Sequence, residues 1–454
     1  MRHLQGEVPE EGNCVGHKEN MTMDGQLKSG TVLTSESGER YTVKQLLGSG
    51  GQGEVYSVEA DHKAYALKWY YKNTATKNQK EILDNLIQSG PPDASFLWPQ
   101  DMIFRAYGES FGYIMPLRPK NYRSIVDMMK RRAEPSFYCL CRAAYHLTRG
   151  YNALHGKGYS YRDISFGNVF FDPDTGDVLI CDNDNVSYNG AKTGIYGTPR
   201  FMAPEIVTGK EKPSRNTDLF SLAVLLFYMF MLNHPLEGKR EAQIKCMDIH
   251  AMNKLYGTDP LFIFDPDNKE NRPLAGYQDN ALIFWDLYPQ QLRDLFTTSF
   301  TVGLKQPNRR ITEAKWMETF SNLMSGIMLC PNCGCEVFYD AQKEASGAAH
   351  TCWGCQNAVT VPTRIVIGKN TILLMSNTRL YKHHIDGNYD METAVGEVVQ
   401  NPSNPKLWGI KNLSEDNWTY IKADGTQVPV SKGRSAAIVK DTKIDFGQLT
   451  GEFH

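Results

Sequence analysis

What most restricts the fold of this 454-residue chain is a set of short motifs in a fixed order. A glycine-rich run ends at Gly53, and Lys68 follows it in an apolar, strand-like segment. Asp163 and Asn168 share the segment YRDISFGN, and Asp182 comes after the next apolar run, VLI. Each motif alone is weak, because short glycine-rich or acidic segments occur in many folds. Their order and spacing are specific, and they predict one domain that contains them all.

The glycine-rich run, GSGGQG at residues 48–53, has the pattern G-x-G-x-x-G. Glycine has no Cβ, so backbone N–H groups of such a loop can approach phosphate oxygens. A dinucleotide-binding fold would continue into a helix and place an acidic residue about 20 residues further on. Here the strand-like segment EVYSVEA follows, and then Lys68. The pattern therefore favours another kind of phosphate site, in which Lys68 binds the phosphates.

Together these motifs resemble the catalytic set of eukaryotic-type protein kinases, in which H-R-D-x-x-x-x-N precedes D-F-G. The resemblance implies that Asp163 accepts the proton of the substrate hydroxyl, and that Asn168 and Asp182 hold Mg²⁺. It also implies that Lys68 binds the ATP phosphates and pairs with Glu81 of the following helical stretch. A surface glutamate on an amphipathic helix is the alternative interpretation of Glu81.

The same resemblance assigns the contacts to ATP. They come from the glycine loop, the strands beside it and the segment between the two lobes: Gly48, Gly50, Gly51, Gly53, Val55, Ala66, Lys68, Met115, Pro116 and Arg118. Met115 fits the gatekeeper position. Adenine would then be recognised by the C=O of Pro116 and the N–H of Arg118, because proline lacks an N–H but keeps its carbonyl.

Three later residues fit the same family. Glu205 ends the segment GTPRFMAPE, which resembles the end of a kinase activation segment. Asp218 is expected to hydrogen-bond the backbone of the catalytic loop, and Arg310 is expected to pair with Glu205. A helix-capping Asp218 and a solvated Arg310 are the alternatives for each residue taken alone. Arg162 is expected to face a phosphorylated activation-segment residue or simply a carboxylate, and the candidates for phosphorylation are Ser187, Thr193 and Tyr196.

Several positions depart from the family pattern. Tyr161 replaces the histidine of H-R-D, and Asn183 and Asp184 replace the Phe and Gly of D-F-G. Ser165 replaces a lysine common in Ser/Thr kinases, whereas Thr198 is typical of them. The resemblance implies an ATP- and Mg²⁺-dependent kinase acting on Ser/Thr of protein substrates. The alternative is a pseudokinase scaffold that binds nucleotide and recruits partners.

A second site is predicted from two C-x-x-C pairs, which match the knuckles of a four-thiolate zinc ribbon. Its expected ligands to structural Zn²⁺ are Cys330, Cys333, Cys352 and Cys355. Cys335 and His350 lie nearby and are predicted not to be ligands; the alternative is that one of them replaces one of the four cysteines. A closed four-cysteine site stabilises a segment that is too short for a core of its own.

The predicted fold class is therefore α+β: a bilobal protein kinase fold with a β-rich N-lobe and a helical C-lobe, then a zinc ribbon and a small β-sandwich. The predicted boundaries are a flexible arm over 1–30, an N-lobe over 31–117, a C-lobe over 118–328, a zinc ribbon over 329–360 and a β-sandwich over 361–454. The last region is similar to forkhead-associated domains. It lacks their early G-R…S-x-x-H motif, so protein contacts are expected there without phosphopeptide binding.

This domain order resembles bacterial kinases of tellurite-resistance-type phosphorylation triads. That resemblance implies partners of three kinds: protein substrates, a cognate phosphatase and a von Willebrand-type protein. Charge gives no reason to expect nucleic acid, because 49 Lys and Arg balance 51 Asp and Glu. The longest apolar run, residues 219–232, would reach only ~21 Å as a helix, which is short of a ~30 Å hydrocarbon core. Five of the ten cysteines cluster in residues 330–355, as expected in the reducing cytoplasm.

Overall fold

The computed structural model describes residues 26–104, 110–189, 197–376 and 378–454. The chain divides into two compact units. The first unit comprises the chain up to Asp286 together with Gln291–Met317, and the second comprises Leu287–Gln290 and Glu318–His454.

The first unit begins with a six-stranded antiparallel sheet, whose strands lie within the predicted N-lobe. The strands are Val32–Thr34 (β1), Arg40–Ser49 (β2), Gly53–Ala60 (β3), Lys63–Tyr70 (β4), Asp101–Phe104 (β5) and Phe111–Pro116 (β6), in the spatial order β1-β2-β3-β4-β6-β5. Side chains alternate along β3, so that Tyr56, Val58 and Ala60 are buried on one face. Helix α1, Lys77–Ser89, follows β4 and begins at Thr76, whose side chain accepts a hydrogen bond from the Gln79 N–H.

The prediction of a flexible arm over residues 1–30 is wrong at its C-terminal end. Leu27 is buried in the apolar cluster of the sheet, and its N–H donates to the Tyr56 hydroxyl at 3.0 Å. The Gln26 N–H donates to Glu54 Oε2 at 2.8 Å. An apolar side chain at position 27 and two backbone contacts thus fix this short segment on the sheet. The rest of the predicted arm, residues 1–25, lies outside the described residues.

The rest of the first unit is mainly helical. Its helices are Ile125–Met129 (α2), Phe137–Gly156 (α3), Pro204–Val207 (α4), Arg215–Met231 (α5), Lys239–Ala242 (α6), Ile249–Asn253 (α7), Asp279–Trp285 (α8), Gln290–Phe300 (α9), Val302–Lys305 (α10) and Glu313–Ser325 (α11), of which α9 and α11 extend into the second unit. Its short strands are Arg123–Ser124 (β7), Tyr159–Ser160 (β8), Val169–Phe171 (β9), Val178–Ile180 (β10) and Ser187–Tyr188 (β11).

Helix α5 accounts for the longest apolar run of the sequence. Every residue from Thr217 to Met231 is buried in the first unit. Within the described part of the chain, no helix combines the length and the apolar character needed to cross a membrane.

The second unit opens with two small hairpins. They are formed by Ile327–Leu329 (β12) with Glu336–Phe338 (β13), and by His350–Thr351 (β14) with Ala358–Val359 (β15), with Ala341–Ala345 (α12) between them. The kinase domain is predicted to end at residue 328, but strand β12 already begins at Ile327. The first hairpin of this region therefore includes Ile327, which pairs with Phe338.

Two antiparallel sheets complete the second unit. Their elements are Arg364–Ile367 (β16), Asn370–Leu373 (β17), Arg379–Tyr381 (β18), Lys382–Asp386 (α13), Ala394–Asn401 (β19), Asn404–Asn412 (β20), Trp418–Ile421 (β21), Gln427–Val430 (β22), Ser435–Ala437 (β23), Lys443–Asp445 (β24) and Thr450–Phe453 (β25). One sheet has the order β17-β16-β25-β24-β21-β22 and the other β18-β19-β20-β23. Buried side chains of both sheets, such as Ile365, Ile410 and Trp418, share one apolar core.

Candidate functional site

The glycine loop is the turn between β2 and β3, closed by a hydrogen bond from the Gly50 N–H to the Gly53 carbonyl at 2.9 Å. A Cβ on Gly48, Gly50 or Gly51 would meet nothing within 4 Å, so one side of the loop is open. A Cβ on Gly53 would lie 2.2 Å from the Trp69 carbonyl oxygen. Gly53 is thus needed for the close approach of β3 and β4, whereas the other three glycines leave room for phosphate groups.

Lys68 lies on β4 with its ammonium group almost fully buried. Its Nζ is 2.8 Å from Asp184 Oδ2 and 3.4 Å from Asp182 Oδ1, and it donates to Gln52 Oε1 at 3.0 Å. Burial alone would lower the pKa of Lys68, but Asp184 and Asp182 raise it above its ordinary value. The lysine is therefore charged. It lies where Gln52 of the glycine loop meets the segment Asp182–Asp184.

The predicted pairing of Lys68 with Glu81 is wrong in this structure. The Glu81 side chain is 62% exposed, and its ion pair is with Lys77 of the same helix at 3.8 Å. The inward face of α1 carries Gln79 and Leu83, four residues apart, and position 81 lies on the opposite side. Helical periodicity thus turns Gln79 toward the site and Glu81 toward solvent.

Asp184 is a site residue that the sequence analysis missed. Its carboxylate is buried, and it accepts hydrogen bonds from the hydroxyls of Tyr70 and Tyr113 as well as from Lys68. The signal was present in the sequence, since Tyr70 lies two residues from Lys68 on the same face of β4. Tyr113 is the residue opposite Lys68 on β6. The carboxylate in place of the usual glycine of D-F-G is thus matched by donors from two strands.

Asp163 lies in the catalytic loop, between a hydroxyl and an amide. Thr198 Oγ1 donates to Asp163 Oδ1 at 2.7 Å. Asn168 Nδ2 donates to the Asp163 backbone carbonyl at 2.8 Å and to its Oδ2 at 3.3 Å. These donors hold the carboxylate in one orientation at a half-buried position, where it remains accessible to a substrate hydroxyl.

The backbone of the catalytic loop is held by Asp218, which is buried at the start of α5. Asp218 Oδ2 accepts from the Tyr161 N–H at 2.6 Å, and Oδ1 accepts from the Arg162 N–H at 2.9 Å. Arg162 has a φ of +74°, a left-handed conformation that is uncommon for a residue with a Cβ. The two backbone hydrogen bonds to one carboxylate stabilise this strained turn.

Asp182 follows β10, and the neighbouring Cys181 N–H donates to the Asn168 carbonyl at 2.8 Å. This bond places the two predicted Mg²⁺ ligands, Asn168 and Asp182, on adjoining segments. Burial and the nearby Asp184 raise the pKa of Asp182 above its ordinary value, although Lys68 opposes the shift. Oxygen ligands such as these two would suit Mg²⁺, whose positive charge would favour the ionised form of the Asp182 carboxyl.

Asn183 takes the position of the usual phenylalanine and is fully buried. Its Nδ2 donates to the backbone carbonyls of Leu97 at 2.9 Å and Ile180 at 3.0 Å. The Tyr161 hydroxyl, in place of the usual histidine, donates to the carbonyl of Cys181. Polar contacts to the backbone therefore hold the segment on which Asp182 lies.

The predicted adenine contacts lie on three neighbouring strands, β3, β4 and β6, and on the segment after β6. Ala66 and Met115 are directly opposite each other on β4 and β6, and Val55 lies opposite Lys68. After Pro116, the Arg118 guanidinium lies over the Phe170 ring, 4.0 Å from its centre. The structure thus brings the apolar residues assigned to adenine next to the lysine assigned to the phosphates.

The end of the activation segment is fixed by a buried ion pair. Arg310 makes two hydrogen bonds to the Glu205 carboxylate, at 2.6 and 2.8 Å. Ser187 is buried on β11, which is contrary to its prediction as a phosphorylation site. The other two candidates, Thr193 and Tyr196, lie outside the described residues.

The four predicted zinc ligands converge in the second unit. Their Sγ atoms lie within 4.8 Å of one another, with 3.6 Å between Cys330 and Cys355 and 3.5 Å between Cys333 and Cys352. Four thiolates at about 2.3 Å from Zn²⁺ would be about 3.8 Å apart, so the arrangement fits a tetrahedral ion. His350 is engaged elsewhere, since its Nε2 accepts from the Asp340 N–H at 3.0 Å.

Comparisons with known proteins agree with this geometry. A family model described as "Protein kinase domain" matches residues 41–320, which is more than half of the chain. Protein kinase C delta type of Rattus norvegicus is 28% identical over 223 residues, which cover 45% of this chain and 31% of that protein. Serine/threonine-protein kinase polo of Drosophila melanogaster is 28% identical over 255 residues, which cover 52% and 43%. Probable serine/threonine-protein kinase CCRP1 of Zea mays is 26% identical over 219 residues, which cover 46% and 34%.

The chain therefore spans less than half the length of each of these curated relatives. The family match includes the glycine loop, Lys68, Asp163 and Asp182 in their expected order. On this match and this geometry, the chain belongs to the protein kinase family.

Proposed function

We propose that this chain is an active protein kinase that transfers the γ-phosphate of Mg·ATP to Ser or Thr hydroxyls of protein substrates. The observation that carries the proposal is the arrangement of Asp163, whose carboxylate is oriented by Thr198 and Asn168. The Ser/Thr preference is supported by Thr198 and by the names of relatives such as polo.

In the proposed reaction the substrate hydroxyl oxygen forms a bond to the γ-phosphorus, and the bond from that phosphorus to the β–γ bridging oxygen breaks. ADP leaves, and the hydroxyl proton passes to Asp163 Oδ. Asn168 and Asp182 would hold the Mg²⁺, which neutralises phosphate charge when bound. Lys68 would bind the phosphates, and the open side of the glycine loop would cover them.

The test is phosphate incorporation from labelled Mg·ATP by wild type and by Asp163→Asn. We expect the variant to lose about 100-fold or more of the transfer rate, because the general base is removed. Its affinity for Mg·ATP should stay within about twofold of wild type, since Asp163 is assigned to the hydroxyl and not to the nucleotide. The matched control is Asp174→Asn at an exposed position on the β9–β10 turn, which should keep full activity.

Substantial transfer by Asp163→Asn would refute the role of this residue. Nucleotide binding without any transfer by wild type, also with candidate partners added, would instead indicate a pseudokinase scaffold. Mapping of the phosphorylated residues would decide between Ser/Thr and Tyr.

We also propose roles for the second unit. Cys330, Cys333, Cys352 and Cys355 would bind a structural Zn²⁺, which the spacing of their sulfur atoms supports. Residues 361–454 would form a β-sandwich similar to forkhead-associated domains and would recruit protein partners. Two antiparallel sheets with one shared apolar core support that assignment.

A further inference from the structure

We propose that Asp184, and not a glutamate of α1, is the acidic residue that positions Lys68 for the ATP phosphates. The proposal rests on the kinase function proposed above. It assigns a role to the residue that replaces the glycine of D-F-G.

The Lys68–Asp184 pair is a buried ion pair with contacts to both carboxylate oxygens. Lys68 Nζ lies 2.8 Å from Oδ2 and 3.0 Å from Oδ1, and the two side chains are 6% and 0% exposed. Without the charge of Asp184, the buried ammonium group would keep only a weaker pairing, and such a loss is unfavourable. Asp182, the other carboxylate near Lys68, lies further away at 3.4 Å and is only half-buried. Asp184 is therefore the main anchor of the ammonium group.

Asp184 is itself fixed by tyrosines of β4, the strand that carries Lys68, and of the neighbouring strand β6. The hydroxyls of Tyr70 and Tyr113 both donate to its carboxylate, the latter at 3.2 Å. Tyr70 lies on β4 two residues after Lys68, and Tyr113 lies on β6 directly opposite Lys68. The carboxylate thus has three donors in a site from which water is excluded, and its position is set by the sheet.

Helix α1 takes part in this cluster through an uncharged side chain. Gln79 Nε2 donates to the Asp184 carbonyl and to the Tyr70 hydroxyl, both at 3.1 Å. Glu81 points into solvent and pairs with Lys77. Asp184 lies in the short helical turn Asn183–Asn185, directly after the metal ligand Asp182. One short turn therefore positions both Asp182, the proposed metal ligand, and Asp184, the proposed partner of Lys68. No glutamate of α1 is needed for this arrangement.

The test compares Asp184→Asn, Glu81→Gln and Lys68→Met in the full chain, together with the double variant Lys68→Met/Asp184→Asn. Asparagine has nearly the same shape as aspartate, so the substitution removes the charge and keeps the volume. Two quantities are measured: the kcat of phosphate transfer, and the Kd for Mg·ATP by calorimetry. Circular dichroism and thermal unfolding check that each variant is folded.

We expect Asp184→Asn to lower kcat at least about tenfold, because Lys68 is no longer held at the phosphates. It should change the Kd at least about threefold in the Lys68 background and by less than about 1.5-fold in the Lys68→Met background. Glu81→Gln should behave as wild type. A residue with a merely structural role would change the Kd equally in both backgrounds.

Equal effects in the two backgrounds, or a large loss of kcat in Glu81→Gln, would overturn the proposal. If wild type binds Mg·ATP but transfers no phosphate, the proposed function fails, while the Kd comparison still decides the role of Asp184. If wild type does not bind Mg·ATP, both proposals are wrong. Should Asp184→Asn fail to fold, the Glu81→Gln variant decides. A normal kcat and Kd in this variant support the assignment of Asp184, and a large fall in kcat or rise in Kd refutes it.

Discussion

Three aspartates of the site have the same chemistry and different surroundings. Asp163 is half-buried and accepts from neutral donors, Thr198 and Asn168. Asp182 is half-buried beside Lys68, where burial raises its pKa above the ordinary value. Asp184 is fully enclosed by donors. The different surroundings of the three carboxylates therefore suit the three roles proposed for them above: a base, a ligand to Mg²⁺ and an electrostatic anchor.

Thr198 provides a prediction at the scale of one residue. Its hydroxyl donates to Asp163 at 2.7 Å, and a hydrogen bond to a charged group contributes about 1.5–3 kcal/mol. We expect Thr198→Ala to lower kcat about tenfold or more and to leave the KM for ATP nearly unchanged, because the base loses its orientation. Steady-state kinetics would check this. Thr198→Ser keeps the hydroxyl and should retain most of the rate, so an equal loss in both variants would contradict the explanation.

At the scale of elements, sequence periodicity predicted α1 well and its functional face poorly. The helical stretch predicted after Lys68 is observed as Lys77–Ser89. Family resemblance pointed to Glu81 as the partner of Lys68, but the buried face of the helix carries Gln79. The partner of Lys68 depends on side chains that converge from two strands and a turn. The spacing of Lys68 and Tyr70 contains only part of that information, whereas the C-x-x-C pairs define their own geometry.

A buried histidine joins three helices beneath the catalytic loop. His155, at the end of α3, contacts Asp218 of α5 at 3.1 Å and Glu313 of α11. Burial alone would lower the pKa of His155, but its hydrogen bonds to Asp218 and Glu313 raise it to about 9. Burial alone would raise the pKa of Glu313, but hydrogen bonds from His155 and Arg215 lower it to about 2. Both groups are therefore charged at neutral pH, and they hold Asp218 against the loop.

The sign of the pH dependence follows from these two shifts. The folded state binds the proton of His155 more tightly, so its contribution is complete below about pH 6.5 and is lost as the pH rises through about 9. The contribution of Glu313 is present above its ordinary value of 4.5 and is lost as the pH falls through about 2. This network is therefore most stabilising between about pH 4.5 and 6.5.

Urea unfolding at about pH 6 and about pH 10 would test the contribution of His155. We expect the stability difference between wild type and His155→Gln to shrink by about 3 kcal/mol at the higher pH, at about 1.4 kcal/mol per pKa unit. His250 is exposed, and His250→Gln should show no such change. A difference that is the same at both pH values would mean that His155 stabilises the fold through packing alone.

At the scale of the whole molecule, the chain joins two compact units that are stabilised by different means. The first relies on a sheet, long buried helices and ion pairs such as Arg310–Glu205. In the second, the ribbon has only short hairpins and a small apolar cluster that includes Cys330 and Cys352. Such a segment buries little apolar surface, so bound metal is expected to contribute much of its stability.

Metal removal therefore gives a prediction for the second unit. We expect one Zn²⁺ per chain by elemental analysis, and its loss in Cys330→Ser, because four thiolates are needed to close the tetrahedron. Cys335→Ser is the matched control and should keep the ion, since Cys335 is outside the converging group. Chelation should speed amide hydrogen exchange in both knuckles, where the Gly334 N–H donates to the Cys330 carbonyl and the Gln356 N–H to the Cys352 carbonyl. Unchanged exchange after complete removal of the metal would show that the ribbon is held by its apolar contacts and that the ion is dispensable for its fold.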